Sequence, residues 1–396
     1  MVDSEESIPQ NHSKLSIIHY PLSINIVRPV SSPLPLPISE RKLLDRAQTY
    51  LQSFVARHAA AIDTDPEVLR VALQGLGDLA LLALKVPRAW QGAEFSLSNY
   101  YCYQESLARY SGALAFLQTQ HQSAGALIAR GTNESLKLEF LPRMGTGKVL
   151  VGIAFSHLRR PGEPMLRAEP TQGGYQLNGH IPWITGYDFF QDFIVGATLP
   201  SGEILYGAMP LREMVQPSGG KLNFSAPLPL IAMESAQTAS ARVDEWFLPE
   251  ERVVAIRSPN FLGEQDRKNV LYPSSLALGC ARGGLDLLQK VSQQKELPFL
   301  EKAYNALDRD WEDCRQQIFD VLASQDTRFE LRLELRSRAI DLAGRCARAA
   351  VIASGGSAST QSHPAGRIYR ESLLFAVSGQ TPDLMEAALG QLLPSL

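Results

Sequence analysis

The spacing of apolar residues divides this chain of 396 residues into helical and strand-forming parts. From residue 39 to 149, apolar residues recur every three to four positions, which predicts an N-terminal α-helical domain. From residue 150 to 256, short runs alternate at every second position between glycine-rich turns, which predicts an antiparallel β-domain. Helical spacing returns from residue 257 to 396 and predicts a C-terminal helical bundle. The pattern indicates an α+β protein.

Asp65-Pro66 and Thr381-Pro382 predict helix starts. The glycine and alanine positions of residues 275–291 are predicted to let helices approach closely, and a later long helix carries an apolar stripe at Leu331, Leu335, Ala339, Leu342, Cys346 and Ala350.

Residues 1–38 are polar and then rich in serine and proline. Because repeated prolines continue neither a helix nor a central strand, we expect a flexible, extended arm, with residues 14–27 as a candidate edge strand. The first residues are acidic, so we expect no targeting segment, and no apolar run reaches the roughly 18 residues of a membrane span. We therefore expect a cytoplasmic protein.

Composition excludes other classes of function. The net charge is −3 and no basic stripe occurs, which is atypical of nucleic-acid-binding proteins. The four cysteines stand singly, without the spacing of a metal site, and are predicted to be small buried residues.

One segment of the β-domain carries candidate binding residues. In 173-GGYQLNGHIPWITG-186, a hairpin turn at Leu177–Gly179 is predicted to lead to an exposed pair, Trp183 and Thr185. A tryptophan beside a threonine can cover a flat aromatic ligand and hydrogen-bond to its edge. The alternative is a core tryptophan beside an ordinary strand threonine.

Several segments, in a fixed order, resemble the acyl-CoA dehydrogenase superfamily of flavoproteins. The resemblance extends over about residues 45–390 and is carried by residues 86–131, 179–186, 235–254, 276–288 and 355–372. It implies the fold of that superfamily, with an N-terminal helical domain, a middle β-domain and a C-terminal helical bundle.

The resemblance also implies a bound flavin, FAD or alternatively FMN. Trp183, Ile184 and Thr185 would contact the isoalloxazine ring, and Thr381 would cap the last helix and touch the cofactor. The other residues implied to bind the cofactor are Ala154, Phe155 and Ser156 along the ring, and Gly355 and Gly356 at the diphosphate or adenosine. A glycine pair lets backbone N–H groups approach a phosphate without hindrance.

The residue that abstracts a proton in this superfamily is replaced. The loop that carries the usual glutamate matches Ser378-Gly379-Gln380-Thr381, so Gly379 stands at the glutamate position. The alternative position on the preceding helix holds Asn269, so neither position has an acid.

Four other side chains are candidates for the base, and each has a structural alternative. Asp383 fits the first turn of a helix, and Asp266 fits a solvated charged segment. His121 and His157 titrate in a useful range, or are hydrogen-bonded structural residues.

Two basic features differ from the superfamily pattern. Arg159 and Arg160 follow the predicted flavin strand and form either a solvated turn or a clamp for an anion. Lys295 is the nearest substitute for an arginine that helps to hold the cofactor diphosphate.

The function implied by the resemblance is a flavin-dependent oxidation of the CH–CH group of an acyl thioester, with a missing or relocated base. The alternatives are a flavin monooxygenase of the same fold and an inactive homologue that binds flavin or acyl-CoA. The expected partners are an acyl-CoA substrate, an electron acceptor or flavin reductase, and further copies of the chain in a homodimer or homotetramer. We expect no metal, nucleic acid or membrane partner.

Overall fold

The computed structural model describes residues 38–393. Apart from Ile38, which begins the first helix, the predicted arm and its edge strand lie outside the described residues. The described chain contains helices, then a β-sheet, then helices, so the predicted fold class is confirmed. The boundaries of the three domains stay a prediction.

The N-terminal helices begin where the sequence provides caps. Asp65 accepts a hydrogen bond from the Glu67 N–H at 2.8 Å, and Pro66 begins the third helix as predicted. The helices before the sheet are α1 (Ile38–Tyr50), α2 (Ala56–Thr64), α3 (Pro66–Asp78), α4 (Leu97–Tyr110), α5 (Gly112–Ala129) and α6 (Glu134–Met144), and a π-helical turn, Leu51–Val55, joins α1 to α2.

The C-terminal part is built from longer helices. They are α7 (Phe261–Lys268), α8 (Ser274–Lys295), α9 (Pro298–Ser324), α10 (Phe329–Ser354), α11 (Pro364–Val377) and α12 (Pro382–Gly390). The predicted apolar stripe of α10 is buried at Leu335, Ala339, Leu342 and Cys346. This stripe places α10 against α8 in the core.

The middle of the chain forms one sheet. Its strands are β1 (Val151–Ala154), β2 (Leu166–Thr171), β3 (Gly174–Ile184), β4 (Asp192–Thr198), β5 (Ile204–Pro210), β6 (Met214–Val215), β7 (Lys221–Phe224), β8 (Ala239–Pro249) and β9 (Val253–Arg257). The spatial order is β6-β7-β8-β3-β2-β4-β5-β9, with β1 paired to β4. Most pairs are antiparallel, but β1 runs parallel to β4, which the alternation of the sequence did not predict.

The hairpin turn predicted at Leu177–Gly179 is wrong. These residues lie inside β3, and the chain turns earlier, at Gln172 and Gly173, between β2 and β3. The register of β3 against β8 shifts between Leu177 and Gly179, which is a β-bulge. Gly179 has φ +141°, and a Cβ there would collide with the Met165 carbonyl, so the Asn-Gly pair serves a bulge in place of a turn.

Three glycines of α8 let two other helices approach its backbone. Cβ atoms added at Gly279 and Gly283 would collide with backbone carbonyls of α4, those of Glu105 and Arg109. A Cβ at Gly284 would lie 2.8 Å from the Cys346 carbonyl carbon of α10. The close approach predicted from the small residues of this segment is therefore present, with α8 between α4 and α10.

Buried polar contacts connect α11 to the N-terminal helices. Arg370 Nη2 donates to Asp63 Oδ2 over 2.9 Å, and the Gly112 N–H donates to Glu371 Oε1 over 3.0 Å. Asp63 and Glu371 are both buried. One of the last helices of the chain therefore completes polar contacts of α2 and α5.

The cysteines and the apolar character of the helices were also subjects of prediction. All four cysteines are buried and form no disulfide, as the single spacing predicted. None of the helices within residues 38–393 is long and apolar enough to cross a membrane.

We expect Gly279→Ala to lower the free energy of unfolding by about 3 kcal/mol or more, because the new methyl group displaces the α4 backbone. Gly344→Ala in α10 is the matched control, since a Cβ there meets no atom within 4 Å. It should stabilise the protein by up to about 1 kcal/mol through helix propensity. Urea unfolding of both variants measures the difference, and equal effects would show that α8 does not depend on Gly279.

Candidate active site

The end of β1 presents the first segment predicted to contact the flavin. Ala154 is buried, and Phe155 packs edge-on against Tyr206 with ring centroids 5.5 Å apart. Ser156, the first residue of a 3₁₀ turn, is exposed, and its hydroxyl has no hydrogen-bond partner among residues 38–393. The backbone thus buries Ala154 and leaves a free hydroxyl next to it.

The end of β3 presents the second segment. Ile184 is fully buried, whereas Trp183 is 44% exposed, because adjacent residues of a strand face opposite sides. Thr185 is buried and its hydroxyl lies 2.9 Å from that of Thr238. The expected exposed pair is therefore confirmed for Trp183 and wrong for Thr185, whose hydroxyl pairs within the protein.

The two segments lie side by side. A Cβ built on Gly152 of β1 would lie 3.6 Å from the Thr185 carbonyl oxygen, so β1 runs next to the end of β3. The exposed indole of Trp183 and the unpaired hydroxyl of Ser156 fit a flat ligand with polar edges. The residues present therefore fit the ring of a flavin.

The glycine pair lies elsewhere, at the end of α10. Gly355 has φ +70° and begins a 3₁₀ turn, Gly355–Ser359, that packs against α10 and α11. No atom lies within 4 Å of a Cβ built on Gly355 or Gly356, so the backbone is open to a ligand or another chain. Lys295 donates to the Ala353 carbonyl at 2.6 Å and thereby fixes the end of the helix, which is not a phosphate contact.

A buried arginine stands beside the position of the missing glutamate. Arg336 of α10 donates through Nη2 to the carbonyls of Ser378, at 2.6 Å, and Gly379, at 3.4 Å. Its Nη1 donates to the Val270 carbonyl at 3.0 Å. The same guanidinium therefore joins the 378–379 loop to the turn between α7 and α8, the segment beside Asn269.

Arg336 could hardly be recognised from the sequence pattern. The residue belongs to a run of arginines and glutamates on α10 that is typical of a solvated helix face, yet only 4% of it is exposed. Burial lowers the pKa of Arg336 to about 10, so it remains a cation at neutral pH. A Cβ at Gly379 would lie 3.5 Å from Nη2, so the glutamate position faces a positive charge.

Thr381 and Asp383 behave as the start of a helix. Thr381 Oγ1 accepts from the Leu384 N–H at 3.3 Å and caps α12, which begins at Pro382 as expected. Asp383 is about half exposed and lies 3.6 Å from Arg267 Nη1. A carboxylate in the first turn interacts favourably with the positive end of the helix, so a structural role accounts for Asp383.

Asp266 lies in a largely exposed segment, as expected, but its own carboxylate is paired. It lies on α7, and its two oxygens accept from Arg159 Nε and Nη2 at 2.7 Å each. This bidentate pair connects the turn after β1 to α7. Arg159 is therefore engaged, and of the two candidate clamp residues only Arg160 is exposed.

Both candidate histidines are buried. His121 Nδ1 accepts from the Val151 N–H at 3.0 Å and Nε2 donates to the Met144 carbonyl at 3.2 Å, so it joins α5 to β1 and α6. Burial lowers the pKa of His121 to about 4. His157 Nε2 donates to the Gly196 carbonyl at 2.9 Å, its Nδ1 has no partner among the described residues, and burial lowers its pKa.

Metal chemistry has no visible site in this region. Within residues 38–393, no group of three or more histidine, cysteine or acidic side chains could hold a metal ion. Two surface clefts, of about 550 and 520 Å³, lie on α9 and between α1 and α3, away from the two flavin segments.

Comparison with known proteins shows what the chain is similar to. Residues 38–148 match the family model described as "Acyl-CoA dehydrogenase, N-terminal domain". The isovaleryl-CoA dehydrogenase of Oryza sativa subsp. japonica is 22% identical over 382 residues, which cover 89% of this chain and 90% of that protein.

Solved structures share the whole fold. Butyryl-CoA dehydrogenase from Megasphaera elsdenii is 18% identical, with a TM-score of 0.76 over 91% of this chain and 100% of that chain. A nitroalkane oxidase is 13% identical, also with a TM-score of 0.76, over 91% of this chain and 97% of that chain.

The fold is therefore that of the acyl-CoA dehydrogenases. The chain is a homologue of the acyl-CoA dehydrogenases, and residues 38–148 form their N-terminal domain, as the sequence resemblance predicted. Acyl-CoA dehydrogenases are flavin-dependent oxidoreductases that bind FAD.

We expect the neutral, buried His121 to make the protein sensitive to acid. Because its folded pKa of about 4 is below its unfolded pKa of about 6.5, the unfolded state binds more protons between these values. Its contribution to stability is fully present above pH 6.5 and falls by about 3 kcal/mol as the pH drops to 4.

The measurement is the free energy of unfolding of the wild type and His121→Gln between pH 7 and 4. The difference between the two proteins should shrink as the pH falls. His58→Gln, at an exposed position, should keep the wild-type pH profile. Parallel profiles for wild type and His121→Gln would contradict the role of His121.

Proposed function

We propose that this protein binds FAD and oxidises the CH–CH group of an acyl-CoA thioester or a related acyl substrate. The observation that carries the proposal is the position of the two ring-contacting segments. β1 runs next to the end of β3 and the turn that begins at Ser156 contacts β3, with the indole of Trp183 exposed and the hydroxyl of Ser156 unpaired among the described residues. The homology over most of the chain supports the same conclusion.

The residues of this chain have distinct tasks in that proposal. Trp183 covers one face or edge of the flavin ring. Ile184 and Thr185 support the ring with backbone atoms and with side chains packed behind it. Ala154, Phe155 and Ser156 follow the ring along β1, with the Ser156 hydroxyl as a hydrogen-bonding group. The open backbone at Gly355 and Gly356 suits the diphosphate or adenosine of the cofactor. FAD, when bound, would accept the hydride that leaves the substrate.

The proton that leaves the α-carbon needs a separate acceptor. Position 379 offers none, since it is a glycine beside the Arg336 cation. Of the two remaining candidates, Asp383 is half exposed and faces Arg267. His157 follows the flavin-facing Ser156 and keeps a ring nitrogen without a partner in the described chain, so it is the better candidate for a relocated base.

A second candidate function follows from Arg336. A flavin monooxygenase of this fold uses reduced flavin and oxygen and needs no base at the α-carbon, so a cation at this position does not oppose its chemistry. The likeness of the fold to a nitroalkane oxidase supports the view that this architecture is not limited to acyl-CoA oxidation. An inactive homologue that binds flavin or acyl-CoA is the third outcome that the experiments below separate.

The C-terminal helices support a homodimer or homotetramer. Tyr369, Leu373 and Val377 recur every fourth residue on α11 and are each more than 40% exposed. Ile352, near the end of α10, is also exposed. An apolar stripe of this kind, beside the open glycine pair, suits contact with another copy of the chain.

The purified protein should show the absorption of an oxidised flavin, and anaerobic addition of an acyl-CoA thioester should bleach it. Asp383→Asn should bleach at the wild-type rate, because Asp383 serves the start of α12. Bleaching only by an added reductant, followed by a transient adduct with oxygen, would favour the monooxygenase. Absence of flavin even after reconstitution would contradict both enzymatic functions.

Restoring a carboxylate at position 379 tests where the reacting carbon lies. We expect the flavin of Gly379→Glu to be reduced about tenfold or more faster than that of Gly379→Gln. A general base contributes about 10²–10⁴-fold to the rate, and the nearby Arg336 cation makes the new carboxylate a weaker base. Both variants carry the same cost of a side chain at φ +62°. Equal rates in stopped-flow absorbance would show that position 379 does not face the α-carbon.

A further inference from the structure

Lys85, in the segment between α3 and α4, lies between two tyrosines. Its Nζ is 5.2 Å from the ring centroid of Tyr100 on α4 and 5.4 Å from that of Tyr272, in the turn before α8. The neighbouring residues Leu84 and Val86 are buried, and the Leu84 N–H donates to Gln122 Oε1 at 2.9 Å. The backbone is therefore fixed, and only the side chain of Lys85 extends towards the tyrosines.

The side-chain hydrogen-bond donors of Lys85, Tyr100 and Tyr272 have no acceptors among the described residues. Tyr100 Oη accepts a hydrogen bond from Gln104 Nε2 at 2.6 Å. The hydroxyl proton of Tyr100 itself has no acceptor among residues 38–393. Neither the Lys85 ammonium nor the Tyr272 hydroxyl makes a hydrogen bond or an ion pair in the part of the chain that the structure describes. Lys85 and Tyr272 are both partly exposed, which leaves access for a ligand.

The charges around Lys85 do not compensate it. The charged neighbour that acts on it is Arg130, another cation, and burial together with this repulsion lowers the pKa of Lys85 to about 8. Lys85 is still mostly protonated at pH 7. A buried cation is normally paired with an acid. The Lys85 ammonium lies over two tyrosine rings and has no acid as a partner among the described residues, which favours an incoming anion.

Backbone contacts connect this cluster to the loop at the glutamate position. Tyr101 on α4 donates to the Leu271 carbonyl, next to Tyr272. Arg336 holds the Val270 carbonyl of the same turn and the carbonyls of Ser378 and Gly379. The turn of residues 270–272 therefore contacts Lys85 through Tyr272 and is joined to the 378–379 loop through Arg336.

We propose that Lys85, Tyr100 and Tyr272 bind a carboxylate at the far end of the acyl chain, so that the substrate is the thioester of a dicarboxylic acid. The inference rests on the proposed function, because it takes the acyl chain to pass the 378–379 loop. The ammonium supplies the charge, and the two tyrosine hydroxyls donate to the carboxylate oxygens. No group is transferred at this position.

The test uses unreactive ligands, so that binding is separated from turnover. Two thioethers of coenzyme A are compared by calorimetry on the purified holoprotein, one with a pentyl chain ending in a carboxylate and one with a methyl end. The wild type should bind the carboxylate form about tenfold or more tightly, and Lys85→Met should lose this preference. Binding of the methyl-terminated thioether should be unchanged in Lys85→Met.

Three controls make the result specific. Lys85→Arg should keep most of the preference, and Lys302→Met, at an exposed position on α9, should keep all of it. Raising the pH from 7 to 9.5 should weaken the preference of the wild type, since Lys85 loses its proton while the Tyr100 hydroxyl, whose pKa burial raises, keeps its proton.

The outcomes separate the two proposals. Equal binding of both thioethers by the wild type would overturn the carboxylate site and leave the acyl-CoA function intact. Failure of both thioethers to bind would count against the proposed function itself. A preference that survives in Lys85→Met would also overturn the role of Lys85.

Discussion

The contact of α8 with α4 and α10 is the constraint on which the arrangement of the helices depends. Gly279 and Gly283 bring the backbone of α4 against α8, and Gly284 does the same for α10. At this short separation, charged side chains pair across the helices. Arg109 of α4 donates to both oxygens of Asp286 on α8, at 2.6 and 3.0 Å. A helix that precedes the sheet and one that follows it thereby share one core.

This contact also fixes the site. The turn of residues 270–272 precedes α8 directly, and α10 carries Arg336. Because both helices are held at backbone distance, Arg336 can hydrogen-bond to carbonyls of the turn and of the 378–379 loop together. The positive charge at the glutamate position is therefore built into the helix packing and is not a property of the loop alone.

The sequence predicted those features that depend on local chemistry. The helix starts at Pro66 and Pro382, the small-residue contact of α8 and the strand pattern of the β-domain follow from capping, residue size and alternation. The segments around Trp183 and Ser156 were found through their resemblance to a family, and the structure places them together.

The errors concern interactions between distant residues. An Asn-Gly pair favours a turn locally, but β8 pairs across Leu177–Gly179 and converts it to a bulge. Asp266 and Arg336 looked like solvated charges, because the sequence does not show that Arg159 and two loop carbonyls lie opposite them. Lys85 carried no signal either, since its significance depends on tyrosines from two other segments.

The contacts of α11 have a consequence for synthesis of the chain. Asp63 and the Gly112 N–H belong to helices that leave the ribosome early, whereas their partners Arg370 and Glu371 are made near the end. At about 5–20 residues per second, the N-terminal helices spend many seconds with a carboxylate that has no counter-ion. A stable N-terminal unit is therefore not expected before the last helices emerge, and chaperones have a long window in which to bind the nascent chain.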